Sequence, residues 1–88
     1  MDEQKELIAL GHEAELFLKS KLGSYIRERS AIDVETAMQN LVKTRPEDTE
    51  KIRHWQSVIR ANNSLMQWLD DAAFAGKVAY SEYLDAEE

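Results

Sequence analysis

The chain contains no cysteine. Disulfides, CxxC redox chemistry, thiolate nucleophiles and cysteine zinc sites are therefore excluded, and stability has to come from packing. Turn residues are scarce as well, with three glycines and one proline, too few for a many-stranded sheet. Gly11, Gly23 and Gly76 stand too far apart for a glycine-rich loop that cradles phosphate. The longest apolar runs, residues 7–10 and 72–75, fall well short of a membrane span. Histidine occurs twice, at His12 and His54, with no HExxH or ExxH spacing to build a zinc site. By helical geometry both imidazoles lie off the apolar faces and are expected at the surface. Serine and aspartate are present, but no GxSxG elbow or strand exists to carry a nucleophile. Neither an enzyme nor a metal or cofactor site is expected.

What remains is a chain of 88 residues, 43% apolar and 32% charged. That is one small domain, and its composition favours helices over disorder or sheet. Eleven basic against seventeen acidic residues give a net charge of −6, which argues against a general binder of nucleic acid or anionic membrane. The opening Met1-Asp2-Glu3-Gln4-Lys5-Glu6 is acidic where a secretory leader has a basic start. A cytoplasmic protein is expected.

Leu7, Leu10, Ala14, Phe17 and Leu18 fall on one face at 100° per residue and predict a helix over about 3–21. Gly23 reads as its left-handed stop, with Lys19 and Lys21 suited to the end of a helix dipole. Ile26, Val34, Ala37 and Leu41 predict a second helix over about 24–43, although Ser30 and Asp33 match a capping box that would start it at residue 30. Thr44-Arg45-Pro46 marks a turn, after which Pro46, Glu47 and Asp48 suit the first turn of a third helix over about 46–84.

That third segment carries the longest pattern in the chain. Ile52, Trp55, Ile59, Asn62, Met66, Leu69, Ala73, Gly76, Tyr80 and Tyr83 alternate three and four residues apart, as in a bundle or coiled-coil seam. Trp55 is expected in the core. Val58, Leu65, Ala72 and Ala79 lie beside the seam, and Ala61, Trp68 and Ala75 lie beyond them, so the apolar arc covers roughly half the circumference. Phe74 interrupts the polar side. Helix three, roughly 55 Å long against about 30 Å for helix two, should pair with helix two over its first half and with helix one over its second. The expected fold is all-α: an antiparallel helical hairpin with one long C-terminal helix and an N-terminal helix, packed as a bundle in a single 1–88 domain. So elongated a layout leaves apolar surface uncovered, which points to a homodimer or higher oligomer.

Several residues on this helix have two readings. Gly76 is either a seam glycine or the residue that ends the helix early. Asn62 either fixes register against an equivalent residue of a partner or lies solvated where the seam bends away. On the register reading, Asn62→Leu should raise stability and loosen the oligomeric state. Trp68, ringed by alanines, suits either ordinary packing or an interface anchor. Trp68, Leu65, Ala72, Ala75, Asn62 and Leu69 form the candidate oligomer or partner interface.

The charge is segmented. Residues 1–18 hold five acids and one lysine, residues 19–60 nine bases and six acids, and residues 61–88 six acids and one lysine. The fold should thus have one acidic and one basic end. Arg27, Arg29, Lys43, Arg45, Lys51, Arg53 and Arg60 gather on the basic hairpin, with Lys43, Arg45, Lys51 and Arg53 the candidate contacts to nucleic-acid phosphate. The interleaved acids equally suit a solvated, ion-paired hairpin. The acidic end could instead mimic a nucleic-acid backbone and inhibit a basic host factor.

The stretches "LIALGHEAELFLKSKLGSYI" (7–26) and "IRHWQSVIRANNSLMQWLDDAAFAGK" (52–77) resemble short helical proteins encoded in tailed-phage and prophage gene clusters. The resemblance implies a bacterial or phage-infected cytoplasm and a structural, assembly or regulatory role. It brings no catalytic residues. The expected function is a non-enzymatic protein-interaction module acting as an oligomer, with nucleic-acid association as the competing class.

Overall fold

A computed structural model of the protein describes residues 2–87, so the end positions of the expected domain, Met1 and Glu88, lie outside the described residues. The fold is all-α, with α1 (Asp2–Lys19), α2 (Lys21–Lys43) and α3 (Thr49–Glu87). Only one residue separates α1 from α2. Ser20 is extended there, at φ −74° and ψ 163°. Its hydroxyl oxygen accepts the Gly23 N–H at 2.9 Å and its O–H donates to the Phe17 carbonyl, so one side chain serves an orphan group of each helix end.

Gly23 is therefore not the left-handed stop its sequence context suggests. No glycine among the described residues has positive φ, and Gly23 lies inside the first turn of α2, where a Cβ would collide with the Phe17 carbonyl oxygen. Space, not backbone freedom, requires glycine at this position. As a result α1 ends at residue 19 rather than 21 and α2 starts at 21 rather than 24. The capping box is corrected too: Ser30 lies buried in the middle of α2, not at its start.

At the other end of α2, the Thr44 N–H donates to the Leu41 carbonyl at 3.2 Å and its hydroxyl to the Asn40 carbonyl at 2.6 Å. The chain then reverses in a turn closed by the Asp48 N–H on the Arg45 carbonyl at 3.0 Å. Pro46 sits at the second position of this turn, where its fixed φ fits. It is not in the helix, and α3 begins at 49 rather than 46. Asp48 caps α3, its carboxylate facing the Lys51 N–H at 3.4 Å. At its far end α3 continues past the expected residue 84 to Glu87.

Both α1 and α2 run antiparallel to α3 and follow one another along it. Gly11 lies against Gly76, Arg27 reaches Asp70 and Ser30 meets Asn62. The layout expected from helix lengths is thus the one observed, with α3 as the strut that both shorter helices pack on. The result is a rod 61 × 26 × 16 Å, one helix layer thick. Its radius of gyration is 18.0 Å, against about 12 Å for a globular chain of this length.

The interior of this rod consists of small residues. Gly11, Ala14, Gly23, Ser30, Ala37, Gly76 and Ala79 are buried, and no large side chain among the described residues is fully so. Trp55, expected in the core, is only half-buried. The cause is the crossing of α1 and α3: a Cβ built on Gly11 would lie 2.6 Å from the Gly76 Cα, and the reverse distance is the same. Gly76 is therefore a seam glycine in a continuous helix, which closes the alternative of an early stop. Backbones this close leave no room between them for leucine or phenylalanine.

Asn62 follows neither of its two expected readings. It accepts the Ser30 hydroxyl at 2.9 Å and donates to the Val58 carbonyl at 2.9 Å, so its amide is satisfied within the chain by a serine on α2. Two predictions follow from this seam. Gly76→Ala should lower the urea midpoint: alanine's gain of about 1 kcal/mol in helix propensity is outweighed by overpacking worth about 1–3 kcal/mol. A raised midpoint would mean that the helices do not cross there. Asn62→Leu should lower stability by about 1–2 kcal/mol by orphaning the Ser30 hydroxyl, reversing the expectation from sequence. Adding Ser30→Ala should recover most of that loss in a double-mutant cycle read by chemical denaturation.

Candidate interaction surface

With the seam filled by small residues, the larger side chains are placed on the two flanks of the rod. Counting 100° per residue from Gly11 on α1, from Ser30 on α2 and from Gly76 on α3 sorts them. One flank carries Glu15, Lys19, Arg27, Asp70 and Lys77. Here the ion pairs between elements are made: Arg27 to Asp70 at 2.8 Å and Lys77 to Glu15 at 3.9 Å, beside Lys19 to Glu15 at 3.0 Å.

The other flank carries Leu7, Leu10, Ala14 and Phe17 from α1 and Leu65, Trp68, Ala72 and Ala75 from α3. Trp68 is 68% exposed, Leu10 54% and Leu65 43%. Among the described residues, no ion pair links α1 or α2 to α3 across this flank. Four of the six interface residues expected from sequence, Trp68, Leu65, Ala72 and Ala75, gather here. The other two, Asn62 and Leu69, turn toward the seam. Sequence reasoning missed Leu7 and Leu10, which it placed on the covered face of α1. Their signal was Gly11, which sits in that same apolar stripe and brings the α3 backbone too near to cover a leucine. Phe74 is exposed and borders the charged flank, lining a shallow cavity with Glu15, Lys19, Asp70 and Lys77, while Val78 is exposed on the outer side of α3.

Charge divides the rod lengthwise. The acidic segments 1–18 and 61–88 lie far apart in sequence, yet α1 packs on the second half of α3 and brings them to one end. The basic segment forms the other. There Lys43, Arg45 and Lys51 line a shallow cavity of about 390 Å³ with Asp48 and Trp55, while Arg53 is exposed outside it. Three of the seven bases on this hairpin are paired with acids: Arg27 with Asp70, Arg29 with Asp33 at 3.4 Å and Lys51 with Asp48 at 3.5 Å.

A second cavity, about 240 Å³, opens on the charged flank at the glycine crossing, between His12, Glu15, Lys77 and Tyr80. The Glu15 carboxyl is held below the ordinary glutamate value by its hydrogen bond with Lys19, then by the charges of Lys19 and Lys77. His12 and His54 are both exposed, His54 edge-on to Trp55 with ring centroids 4.7 Å apart. Among the described residues no three His, Asp or Glu side chains converge as metal ligands. No hydroxyl of serine or threonine there is hydrogen-bonded to a histidine or carboxylate. No helix among them is long and apolar enough to cross a membrane.

Comparison with protein-family models, with curated proteins and with solved structures finds no match to this chain.

The Glu15 cluster generates a pH prediction. A carboxylate whose folded pKa is lowered contributes its stabilisation above the unfolded value and loses it as pH falls through the folded one. The Glu15 contact from α1 to Lys77 on α3 should therefore weaken only below the ordinary carboxylate range. Carboxyl-detected NMR should place the Glu15 midpoint below that of an unpaired glutamate, and Lys19→Met should raise it. A midpoint unmoved by that substitution would remove Lys19 as the cause.

Proposed function

We propose that this protein is a non-enzymatic helical interaction module that works as an oligomer, as a structural, assembly or accessory component in a phage or prophage setting. The observation that carries this reading is surface. The chain exposes 7032 Å², where a folded monomer of 10.1 kDa exposes about 5,300 Å². Fourteen large apolar side chains are at least 43% exposed, far more than scattered surface residues would need, and Trp68 among them is the residue type most often found as a binding anchor. The setting rests solely on the resemblance of segments 7–26 and 52–77 to phage-encoded helical proteins noted from the sequence.

A second reading rests on the basic end, where Lys43, Arg45 and Lys51 surround a cavity beside Trp55. Cations next to an aromatic ring suit a nucleic-acid backbone with a stacked base. The Asp48 carboxylate in the same cavity and the overall charge of −6 oppose it. The acidic end, as a mimic of that backbone for a basic host factor, is a variant of the interaction reading.

Two measurements decide between these classes. Sedimentation at tens of micromolar should give a mass above 10.1 kDa, and fluorescence anisotropy at low salt should show no binding to labelled duplex or single-stranded DNA. Salt-dependent DNA binding that disappears when Arg45, Lys51 and Arg53 are changed to Glu would establish the second reading.

A further inference from the structure

We infer that the apolar flank is covered by a second copy of this chain, laid antiparallel so that the acidic end of each copy meets the basic end of the other. This deepens the interaction-module reading, on which it rests, by naming the partner, the face and the orientation. Three observations on the molecule lead there.

The first is the difference between the flanks. One is closed by ion pairs between the helices, Arg27 to Asp70 and Lys77 to Glu15. The other presents Leu7, Leu10, Phe17, Leu65 and Trp68 with no such pairs. The second gains more from losing its water, since where α1 meets α3 its exposed groups are chiefly hydrocarbon.

The second is area. A face of 61 by 26 Å projects roughly 1,600 Å², and covering about half of it buries the roughly 800 Å² per partner of a standard-size stable interface. The apolar positions on α3, from Ala61 through Trp68 to Ala79, are centred near the middle of that helix, which runs from 49 to 87. A two-fold axis near Trp68 therefore lets two whole rods overlap, giving a four-helix bundle of ordinary type from two helical hairpins.

Charge supplies the third and fixes the direction. With net −4 on residues 1–18, net −5 on 61–88 and net +3 on 19–60, each rod is electrically polar along its length. A parallel pairing sets the two acidic ends side by side. An antiparallel pairing sets each against the basic hairpin of the other copy, and like-charge juxtaposition is what electrostatic complementarity selects against. The charge segmentation of the sequence thereby has a role that a monomer does not provide.

The absence of cysteine allows single-site labelling. Glu3→Cys marks the acidic end and Glu47→Cys the basic one, both at exposed positions. Energy transfer should be high when donor-labelled Glu3→Cys is mixed with acceptor-labelled Glu47→Cys, and low when both partners carry Glu47→Cys, because like ends then lie up to 61 Å apart. The reverse pattern would overturn the orientation. In sedimentation, Trp68→Glu should reduce the mass to that of a single chain, while Phe74→Glu, beside the charged flank, should leave it unchanged. An oligomer that survives Trp68→Glu would overturn the face while leaving the interaction module standing. A chain that is a monomer at tens of micromolar would overturn self-association itself, and transfer in the unsubstituted flank keeps the test valid if Trp68→Glu fails to fold.

Discussion

Gly11 and Gly76 let two helix backbones meet at a distance that any Cβ would prevent, and the rest of the molecule is arranged around that contact. Close approach makes α1 and α3 share a line of glycine and alanine rather than a layer of leucines. The consequence reverses the usual layout of a small helical domain. Large apolar groups cannot enter the line between the axes, so they stand on its flanks, and a one-layer rod has no third element to cover them.

The same constraint recurs at the α1–α2 junction. There Gly23 lets the first turn of α2 lie against the Phe17 carbonyl, and Ser20 supplies hydrogen bonds to both helix ends within one extended residue. A longer loop would let α2 fold back beside α1 and build a three-helix bundle with a true core. The one-residue joint prevents that, so α1 and α2 follow each other along α3 and act as a single bent helix. The rod is the direct result, and with it the gathering of both acidic segments at one end. Halfway along, Ser30 and Asn62 form the polar counterpart of the glycine contact: a small side chain again at the closest point, its hydroxyl satisfied by an amide that also bonds its own helix.

The proposed function rests on what the seam leaves outside. A flank bearing Trp68, Leu65, Leu10 and Leu7 beside one held by ion pairs is an asymmetric surface, and the charge polarity along the rod gives that surface a direction. Neither property requires a catalytic group or a cofactor. On the proposed reading both would serve a part that fits against another part, with specificity from shape and charge and affinity from a few apolar anchors.

Much of this was legible in the sequence. Periodicity alone defines three helices, the Thr44–Arg45–Pro46 reversal, the antiparallel layout and the segmentation of charge, because each depends on local propensity or on simple length. The broad apolar arc on α3 was visible for the same reason, whereas Trp68 read as either ordinary packing or an interface anchor until the fold left it 68% exposed. What the sequence could not show is which apolar residues would be covered. Leu7 and Leu10 share a helical face with Gly11, and a wheel treats all three as core; only the crossing at Gly76, 65 positions away, shows that the glycine occupies the contact and the leucines are displaced from it. The roles of Gly23, Ser30 and Asn62 were misread from local rules for caps and seams, since each is set by a backbone or side chain brought close by folding. Helices are decided by neighbours three and four residues apart, whereas burial is decided by the distance between axes, and that distance was set by residues with almost no side chain.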